Sequence, residues 1–410
     1  MTRDPASIQC CVAGGGPAGM MLGLLLARTG VTVRVLEKHA DFLRDFRGDT
    51  IHPSTLEVMH ELGLLDGLLR LPHQEVRVLA AQIGDVIVPI ADFTHLPTRC
   101  RFLAFMPQWD FLDFLARDAA RYPGFQLQMR SEVTGILEES GRVVGVQAMT
   151  EAGPITVRAD LVVAADGRHS LLRAQAGLRV EELGAPMDVL WFRLSRGRQD
   201  RGQTMGRFDA GQIFIMLDRG EYWQCGYVIP KGTFDEIREG GLQAFRERVA
   251  RLAPPVRERV GELRTWDDLK LLTVRVDRLS RWYRPGFLCI GDAAHAMSPV
   301  GGVGINLAIQ DAVAAANILA EPLRRRSLAT EHLRQLQRRR EWPTRVTQRL
   351  QVAIQKRLIA PALGGSRPLR PPLAVRLLGL IPLLRRIPAR LIGMGIRPEH
   401  VTAPAAPASE

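Results

Sequence analysis

The sequence predicts an α/β protein whose first domain is built on a three-layer, mostly parallel sheet. A second domain with a mixed or antiparallel sheet is inserted into it, and a helical region follows at the C-terminus. Three observations support this fold: a strand–glycine turn–helix–strand unit near the N-terminus, two later apolar strands that each end in a glycine-containing motif, and aromatic-rich alternating strands between Met187 and Val228. The 410 residues, 46% apolar and 24% charged, suffice for two or three structural units.

The N-terminal unit begins with a short apolar strand at Ile8 to Val12. A glycine-rich turn follows, a helix at Ala18 to Arg28 ends before Gly30, and Val31 to Leu36 form a β-branched strand. Strand, helix and strand within about 30 residues are typical of a βαβ unit.

The turn of this unit reads Gly14-x-Gly16-x-x-Gly19. Glycines at these positions let the backbone approach a pyrophosphate, whose charge the free N–H groups of the following helix bind. Glu37 closes the second strand, where a carboxylate accepts a hydrogen bond from a ribose hydroxyl. Together these features predict a Rossmann-like dinucleotide-binding domain.

The remaining elements follow in chain order. Helices are predicted at Pro53 to Leu62 and Asp110 to Ala120, and strands recur from Phe125, ending in separate strands at Ile155 to Val157 and Leu161 to Ala165. Beyond the aromatic-rich strands we expect, in this order, a mostly helical stretch from Thr233 to Glu262, a buried strand at Phe287 to Ile290, a tightly packing helix at Gly304 to Ala320 and a basic amphipathic helix at Arg334 to Leu358.

These elements predict the domain organisation. We expect a discontinuous nucleotide-binding domain formed by residues 1–73, 98–182 and 270–320. An inserted substrate domain is expected at residues 74–97 and 183–269. A basic C-terminal helical region is expected at residues 321–400.

Two further motifs follow buried strands. Asp166-Gly167-Arg168-His169-Ser170 and Arg173 come after the first, and Gly291-Asp292-Ala293-Ala294-His295 comes after the second, running on from Ser298 to Asn306 through a glycine-rich turn. The Asp292 carboxylate suits a polyhydroxyl chain, and the glycine turn with its helix presents free N–H groups to developing negative charge. Ligands of such sheets bind at the carboxyl ends of strands, so we expect all three motifs to converge on one ligand.

The excess of basic over acidic residues is confined to the C-terminal region. From Glu321 onward the chain holds 18 basic and 5 acidic residues, whereas the first 320 residues hold 37 basic and 38 acidic ones. The runs Arg324–Arg326 and Arg338–Arg340 lack stacking aromatics and any groove-reading motif, so we expect no nucleic-acid partner and interpret them as solvated helix faces. The apolar stretch Pro371–Ile396 is interrupted by arginines and prolines, which favours surface contact with a membrane over a membrane-spanning helix.

Five cysteines, without a C-x-x-C pair or a cysteine–histidine cluster, indicate reduced thiols and no metal site. The protein is therefore expected to act in the cytoplasm, with peripheral membrane contact through its basic tail.

The three motifs GGGPAG with Glu37, DGRHSLLR and GDAAHAMSPVGGVGIN resemble, in order and spacing over residues 8–320, the flavoprotein monooxygenases typified by para-hydroxybenzoate hydroxylase and the ubiquinone-pathway hydroxylases. The resemblance implies FAD with its pyrophosphate at the first motif, its ribityl chain on Asp292 and its isoalloxazine against residues 299–306. The cofactor-binding residues implied are Gly14, Gly16, Pro17, Ala18, Gly19, Glu37, Lys38, Arg47, Gln108, Val133, Asp166, Gly291, Asp292, Pro299, Gly302, Gly304, Ile305 and Asn306.

Membership of that family implies that NADPH or NADH reduces the flavin and that a C4a-hydroperoxyflavin hydroxylates an electron-rich aromatic or quinol-like substrate with dioxygen. The cofactor carries this chemistry, so the expected catalytic contribution of the protein is the flavin-facing backbone of Pro299, Gly301 and Gly302. His295 is more typical of local packing than of acid–base catalysis. The substrate is expected against the second sheet, where the candidate contacts are Trp191, Arg193, Met205, Phe214, Met216, Trp223 and Tyr227.

Three other functions can be compared with that of a monooxygenase. A flavin-dependent halogenase needs a lysine between the dinucleotide motif and the middle of the chain, and a W-x-W-x-I-P sequence. The lysines here are Lys38, Lys231, Lys270 and Lys356, and the comparable stretch reads Cys225-Gly-Tyr-Val-Ile-Pro230, so halogenation is not expected. A flavin reductase of the geranylgeranyl type would consume no oxygen, and a non-catalytic flavin-fold binding protein would use its basic tail to engage a partner.

Overall fold

The computed structural model describes residues 8–43, 50–197, 204–365 and 371–406. Within them the strands run, in chain order, β1 (Ile8–Ala13), β2 (Val33–Leu36), β3 (Thr50–Ile51), β4 (Gln74–Val76), β5 (Val78–Ile83), β6 (Val86–Asp92), β7 (Leu103–Phe105), β8 (Phe125–Gln128), β9 (Ser131–Glu139), β10 (Arg142–Thr150), β11 (Gly153–Ala164), β12 (Val180–Glu182), β13 (Met187–Ser195), β14 (Met205–Asp209), β15 (Gln212–Asp218), β16 (Tyr222–Pro230), β17 (Lys270–Leu272), β18 (Asp277–Leu279), β19 (Tyr283–Arg284) and β20 (Phe287–Cys289).

The α-helices of the described residues are α1 (Pro17–Arg28), α2 (Pro53–Glu61), α3 (Leu65–Leu69), α4 (Gln108–Ala119), α5 (Leu171–Gln175), α6 (Phe234–Glu239), α7 (Leu242–Leu252), α8 (Gly304–Arg324), α9 (Thr330–Ile354), α10 (Ala360–Gly364), α11 (Leu373–Leu380) and α12 (Arg386–Gly393). A π-helical turn at Gln355–Ile359 joins α9 to α10, and short 3₁₀ turns lie at Pro254–Glu262, Gly291–Ala293 and Val300–Gly302.

The first sheet has the strand order β19-β20-β11-β1-β2-β8, and all neighbours from β20 to β8 are parallel. The β9–β10 hairpin extends it through antiparallel pairing of β10 with β11. Helices α1 and α8 pack against each other and the sheet, burying a leucine- and alanine-rich core. The predicted α/β fold is confirmed.

The second sheet has the order β17-β13-β16-β15-β14-β5-β6 and is mostly antiparallel. The residues of α7 and the 3₁₀ turn after it cover one of its faces. The other face packs on Val300 from the turn before α8, on Ile354 at the end of α9 and on Ile359 in the π-helical turn.

Several boundaries differ from those expected. Ile155–Val157 and Leu161–Ala164 belong to one strand, β11, because its first half pairs with β10 and its second half with β1. Residues 270–272 pair with β13 of the second sheet, and residues 74–76 pair with β7 of a small three-stranded sheet. Residues 270–272 therefore belong to the second sheet, whereas residues 74–76 belong to the small sheet.

The helical span Val300–Arg324, which includes α8, is long and apolar enough to cross a membrane, because it contains an 18-residue stretch with a mean hydropathy of 1.4. However, 83% of that stretch is buried inside the protein, as is expected for a core helix.

The C-terminal region folds back over both domains. Helices α11 and α12 pack on β6, and the segment that follows α12 reaches α2 and α8. There His400 contacts Glu61, and the backbone N–H of Ala406 donates to the carbonyl of Arg28 at the end of α1.

Arg340 of α9 contradicts the interpretation of Arg338–Arg340 as a solvated face. Arg340 is only 1% exposed. Its Nε lies 3.0 Å from Oδ1 of Asp311, and its Nη1 lies 3.2 Å from Oε1 of Glu399. Arg338, two positions earlier, is exposed. The basic region therefore contributes a buried ion-pair network to the core.

Removing one member of a buried ion pair leaves its partners uncompensated, which typically costs about 3–5 kcal/mol. We therefore expect Arg340→Ala to lower the free energy of unfolding by roughly that amount. Arg338→Ala, on the exposed side of the same helix, should change it by less than about 0.5 kcal/mol. Urea denaturation followed by fluorescence measures both, and equal effects of the two substitutions would contradict the assignment.

Candidate active site

The three glycine-containing motifs begin at the same level of the first sheet. Ala13 of β1 pairs with Ala164 of β11, and Ala164 pairs with Cys289 of β20. Because these three strands are adjacent and parallel, the segments that follow them leave the same edge side by side. The structure therefore brings the three motifs together.

The first motif forms a tight turn into α1. Gly14 has a φ of 107°, and a Cβ there would overlap the carbonyl oxygen of Ala165, which immediately precedes the second motif. A Cβ at Gly16 would meet no atom within 4 Å, so this glycine faces open space. No described side chain caps the N-terminus of α1, which leaves its N–H groups for an anion.

Glu37 is 7% exposed and supports this turn. Its Oε2 accepts a hydrogen bond from the backbone N–H of Gly15 at 2.8 Å, and its Oε1 accepts one from His39 at 3.0 Å. A carboxylate has about four acceptor positions, so Glu37 can also accept a hydrogen bond from a ribose hydroxyl. The neighbouring Lys38 is exposed.

The second motif is held by Arg173, which is 7% exposed. Its Nη2 donates to the carbonyl of Arg168 at 2.6 Å and its Nη1 to the carbonyl of Ala293 at 3.3 Å. Arg173 therefore ties the second motif to the third. Burial raises the pKa of Asp166, whose Oδ1 is enclosed without a hydrogen-bond partner among the described residues.

Asp292 of the third motif is half-buried, and its Oδ2 lies 3.4 Å from Nη2 of Arg168. Arg168 also lines a cavity of about 360 Å³ at the surface. Arg275 and His169 contribute further basic groups to that cavity, while Glu182 and Asp277 contribute acidic ones.

His295 is enclosed rather than available for acid–base chemistry. It is 1% exposed, its Nε2 lies 2.6 Å from Oδ2 of Asp311, and its ring lies against Trp282. The same carboxylate oxygen accepts the backbone N–H of Gly291 at 3.1 Å. Although burial opposes ionisation, His295 and Arg340 hold the pKa of Asp311 below its usual value. This carboxylate therefore anchors the third motif.

The glycine turn of the third motif remains open at the surface. Gly301 and Gly302 have φ values of 80° and 64°, and Gly301 is exposed. No side chain among the described residues caps the N-terminus of α8. Inside that helix, Oδ1 of Asn306 accepts hydrogen bonds from the hydroxyls of Ser54 at 2.7 Å and Thr55 at 2.9 Å, which joins α8 to α2.

Two other predicted cofactor residues lie on α4 and β9. Gln108 begins α4 and is half-buried, and Val133 lies on β9 two residues after Ser131, whose N–H donates to the carbonyl of Glu37. Arg47 lies outside the described residues.

His52 is a residue that the sequence analysis missed. It precedes α2, is fully buried, and its Nε2 lies 3.3 Å from the carbonyl oxygen of Gly301. Burial lowers the pKa of its ring to about 4. No local sequence signal identifies it, because its partner lies 249 residues away.

Four of the seven predicted substrate contacts lie on the wrong face of the second sheet. The side chains of this group are in the core between the sheet and α7, away from the glycine turn; they are Phe214, Met216, Trp223 and Tyr227. That expectation is corrected. Met205 lies on β14, and only its backbone is described.

Trp191 and Arg193 alternate onto the opposite face from this core. Trp191 packs in the same cluster as Val300 of the glycine turn, and a Cβ on Gly226 would approach its ring to 3.0 Å. Arg193 is exposed and stacks 4.8 Å from the ring centre of Tyr222. Nε1 of Trp191 is enclosed and has no acceptor in the described part of the chain.

All five cysteines are buried and unpaired, and burial raises the pKa of Cys11 to about 12. No group of metal-binding side chains occurs in residues 8–43, 50–197, 204–365 and 371–406.

The geometry fits a dinucleotide such as FAD. In the part of the chain that the structure describes, two helix N-termini without a side-chain cap, an open glycine and an Asp166 oxygen without a hydrogen-bond partner follow the shared edge of β20, β11 and β1. These are the features required for a pyrophosphate and a polyhydroxyl chain.

Comparison with known proteins supports this fit. Residues 7–350 match the family described as the FAD binding domain. The chain is 34% identical over 393 residues to the 6-methylpretetramide 4-monooxygenase of Streptomyces rimosus, covering 95% of this chain and 93% of that protein. It is 27% identical over 318 residues to the dialkyldecalin synthase of Streptomyces rugosporus, covering 74% of this chain and 63% of that protein.

A solved structure shares the fold. The p-nitrophenol 4-monooxygenase of Pseudomonas putida DLL-E4 matches with a TM-score of 0.77 at 20% identity, covering 95% of this chain and 99% of that one.

His52 predicts a specific pH dependence of stability. Its pKa is about 4 in the folded protein, whereas a histidine in the unfolded chain titrates near ~6.5. Between these values the unfolded state binds the extra proton, so stability falls as the pH decreases, by about 1.4 kcal/mol per pH unit from this group. We therefore expect the free energy of unfolding of His52→Gln, measured by urea denaturation, to depend less steeply on pH between about pH 4.5 and 6 than that of the parent. An unchanged slope would show that the ring titrates normally in the folded protein.

Proposed function

Because the chain belongs to the FAD binding domain family and is an FAD-dependent monooxygenase that uses NAD(P)H and dioxygen, we propose that it hydroxylates a fused-ring phenolic compound of the polyketide type. The observation that supports this substrate class is the 34% identity, over almost the whole length of both chains, to the Streptomyces rimosus enzyme. That enzyme's name specifies a monooxygenase acting on 6-methylpretetramide.

FAD, when bound and reduced by NAD(P)H, supplies the activation of dioxygen. In our proposal this chain binds its pyrophosphate at Gly14–Gly19 and the N-terminus of α1, and its adenosine ribose at Glu37. Asp292 accepts hydrogen bonds from the ribityl hydroxyls. The backbone of Pro299–Gly302 and the N-terminus of α8 face the isoalloxazine and its developing negative charge.

The nicotinamide nucleotide needs a second basic surface next to the flavin. We assign this role to the 360 Å³ cavity that holds Arg168, His169 and Arg275. Arg168 contacts both this cavity and Asp292, so it lies between the two nucleotides. Arginine side chains suit phosphate groups because they donate paired hydrogen bonds.

The substrate wall that fits this function is the face of the second sheet that carries Trp191. The missing side chain at Gly226 lets the indole lie flat against β16. A flat apolar wall suits a fused aromatic ring. Arg193 borders the same face and suits an anionic phenolate or carboxylate.

The substrate class is tested by NADPH- and NADH-dependent oxygen uptake with fused-ring phenols and monocyclic phenols, with products identified by mass spectrometry. We expect oxygen uptake and a mass increase of one oxygen atom with the fused-ring compounds. Stimulation by monocyclic phenols alone would contradict the substrate proposal, and NAD(P)H oxidation without oxygen uptake would favour a reductase. Asp292→Ala is the cofactor control, because losing the ribityl contact should reduce both flavin retention and activity.

Trp191→Phe keeps an aromatic ring but shortens the apolar wall. Stacking of aromatic rings contributes about 0.5–1.5 kcal/mol, so weakening it should lower kcat/KM for a fused-ring substrate by up to about 13-fold. The matched control is Trp223→Phe, whose side chain lies in the core on the other face of the same sheet. A larger loss of kcat/KM in the control would place the substrate elsewhere.

We also propose that the protein acts in the cytoplasm and contacts an anionic lipid surface through residues 371–396. This segment holds four arginines and no acidic residue, and Leu380 and Leu383 are 75% and 62% exposed. Leu380→Ser with Leu383→Ser should reduce sedimentation with phosphatidylserine vesicles severalfold while leaving flavin content unchanged. Equal sedimentation of variant and parent would exclude this contact.

A further inference from the structure

The buried face of α9 is polar, unlike that of an ordinary amphipathic helix. After Leu333 and Leu336, the side chains that point inward at spacings of three or four residues are at most 8% exposed; they are Gln337, Arg340, Thr344, Gln348, Gln351 and, in the following turn, Gln355. We call this set the polar stripe of α9. Burying an amide without hydrogen bonds is unfavourable, so each member of such a stripe needs partners.

The glutamines of the stripe bond mainly to backbone groups of residues 277–300, whereas Oγ1 of Thr344 and Oε1 of Gln348 have no partner among the described residues. Near the start of the helix, Gln337 accepts the N–H of Trp282 at 3.0 Å and donates to the carbonyl of Ser280 at 3.1 Å. Further along, Gln348 donates to the carbonyls of Asp277 at 2.7 Å and Ala296 at 3.1 Å. The helix thus holds an extended chain segment that leads to the glycine turn.

The end of the stripe binds Ser298, immediately before that turn. Oε1 of Gln351 accepts the N–H of Ser298 at 3.2 Å, and Nε2 donates to the carbonyls of Ser298 at 3.0 Å and Val300 at 2.9 Å. Nε2 of Gln355 donates to the Ser298 hydroxyl at 2.6 Å, and that hydroxyl also accepts the N–H of Val300 at 3.3 Å. All polar groups of Ser298 are therefore bound.

We propose that Gln351 and Gln355 are positioning residues that fix the Pro299–Gly302 turn against the flavin ring. The turn contains two consecutive glycines at positive φ, so its own sequence restrains it weakly. The bonds from α9 supply the restraint from outside. They also hold Val300 in the cluster that contains Trp191, so the same two glutamines set the distance between the flavin-facing turn and the substrate wall.

This inference rests on the proposed position of the flavin at residues 299–302. A displaced turn would leave the space between flavin and substrate open to water. Reducing equivalents from NAD(P)H would then leave as hydrogen peroxide rather than entering the hydroxylated product.

Gln351→Met tests the proposal because it keeps a long, unbranched side chain and removes all three hydrogen bonds. Gln337→Met is the matched control: it lies on the same helix, is similarly buried, and bonds the N–H of Trp282 and the carbonyl of Ser280. Far-UV circular dichroism and the melting temperature establish that both variants are folded.

The first readout is hydrogen exchange of the flavin-free protein, which requires neither cofactor nor substrate. We expect exchange of the Ser298 and Val300 amides to accelerate at least tenfold in Gln351→Met and to stay unchanged in Gln337→Met, where exchange at Trp282 should accelerate instead. Unchanged exchange at Ser298 and Val300 in Gln351→Met would overturn the proposal.

The second readout is the dissociation constant for FAD together with the fraction of NAD(P)H recovered as hydrogen peroxide. Both should rise severalfold in Gln351→Met and stay near the parent value in Gln337→Met. Equal changes in the two variants would show a general loss of packing and overturn the proposal. If Gln351→Met does not fold, Gln355→Met provides the same comparison, since it removes a single bond to Ser298. If only the proposed substrate is wrong, the two variants will still differ in hydrogen exchange and in FAD affinity. That outcome is therefore distinguishable from failure of the present proposal.

Discussion

The site depends on one geometric constraint, the common register of three adjacent parallel strands. Ala13, Ala164 and Cys289 lie opposite one another in β1, β11 and β20, so the chain leaves the sheet three times at one edge. Gly14 is required by this closeness, because any side chain there would overlap the backbone of the second motif. Three segments separated by more than a hundred residues along the chain thereby become one binding surface for a nucleotide cofactor.

The supports behind this surface are polar. Asp311 binds the third motif through Gly291 and His295, and it is bound in turn by Arg340, which also pairs with Glu399. The glutamines of α9 bind the chain between Asp277 and Val300. Apolar packing would allow such loops to slide, whereas hydrogen bonds of fixed direction select one conformation.

The sequence predicted the parts of this arrangement that local rules determine. The turn at Gly14–Gly19, the strand ends and the α/β fold follow from short-range spacing, and the family resemblance was confirmed by the match over residues 7–350. Alternation showed that β15 and β16 have two faces but not which one meets α7, so Phe214, Met216, Trp223 and Tyr227 were placed wrongly. Glutamines and arginines in a helix sequence are typical of a solvent-exposed face. That α9 buries them follows only from the three-dimensional position of their hydrogen-bond partners.

The pairing of Arg340 with Glu399 also affects the order in which the protein is completed. The two residues are 59 positions apart, and the guanidinium lies inside the core between Asp311 and the late-synthesised glutamate. While the ribosome is still translating the intervening codons, this cation has only part of its compensating charge. The cofactor domain therefore reaches its final electrostatic balance only after Glu399 has emerged.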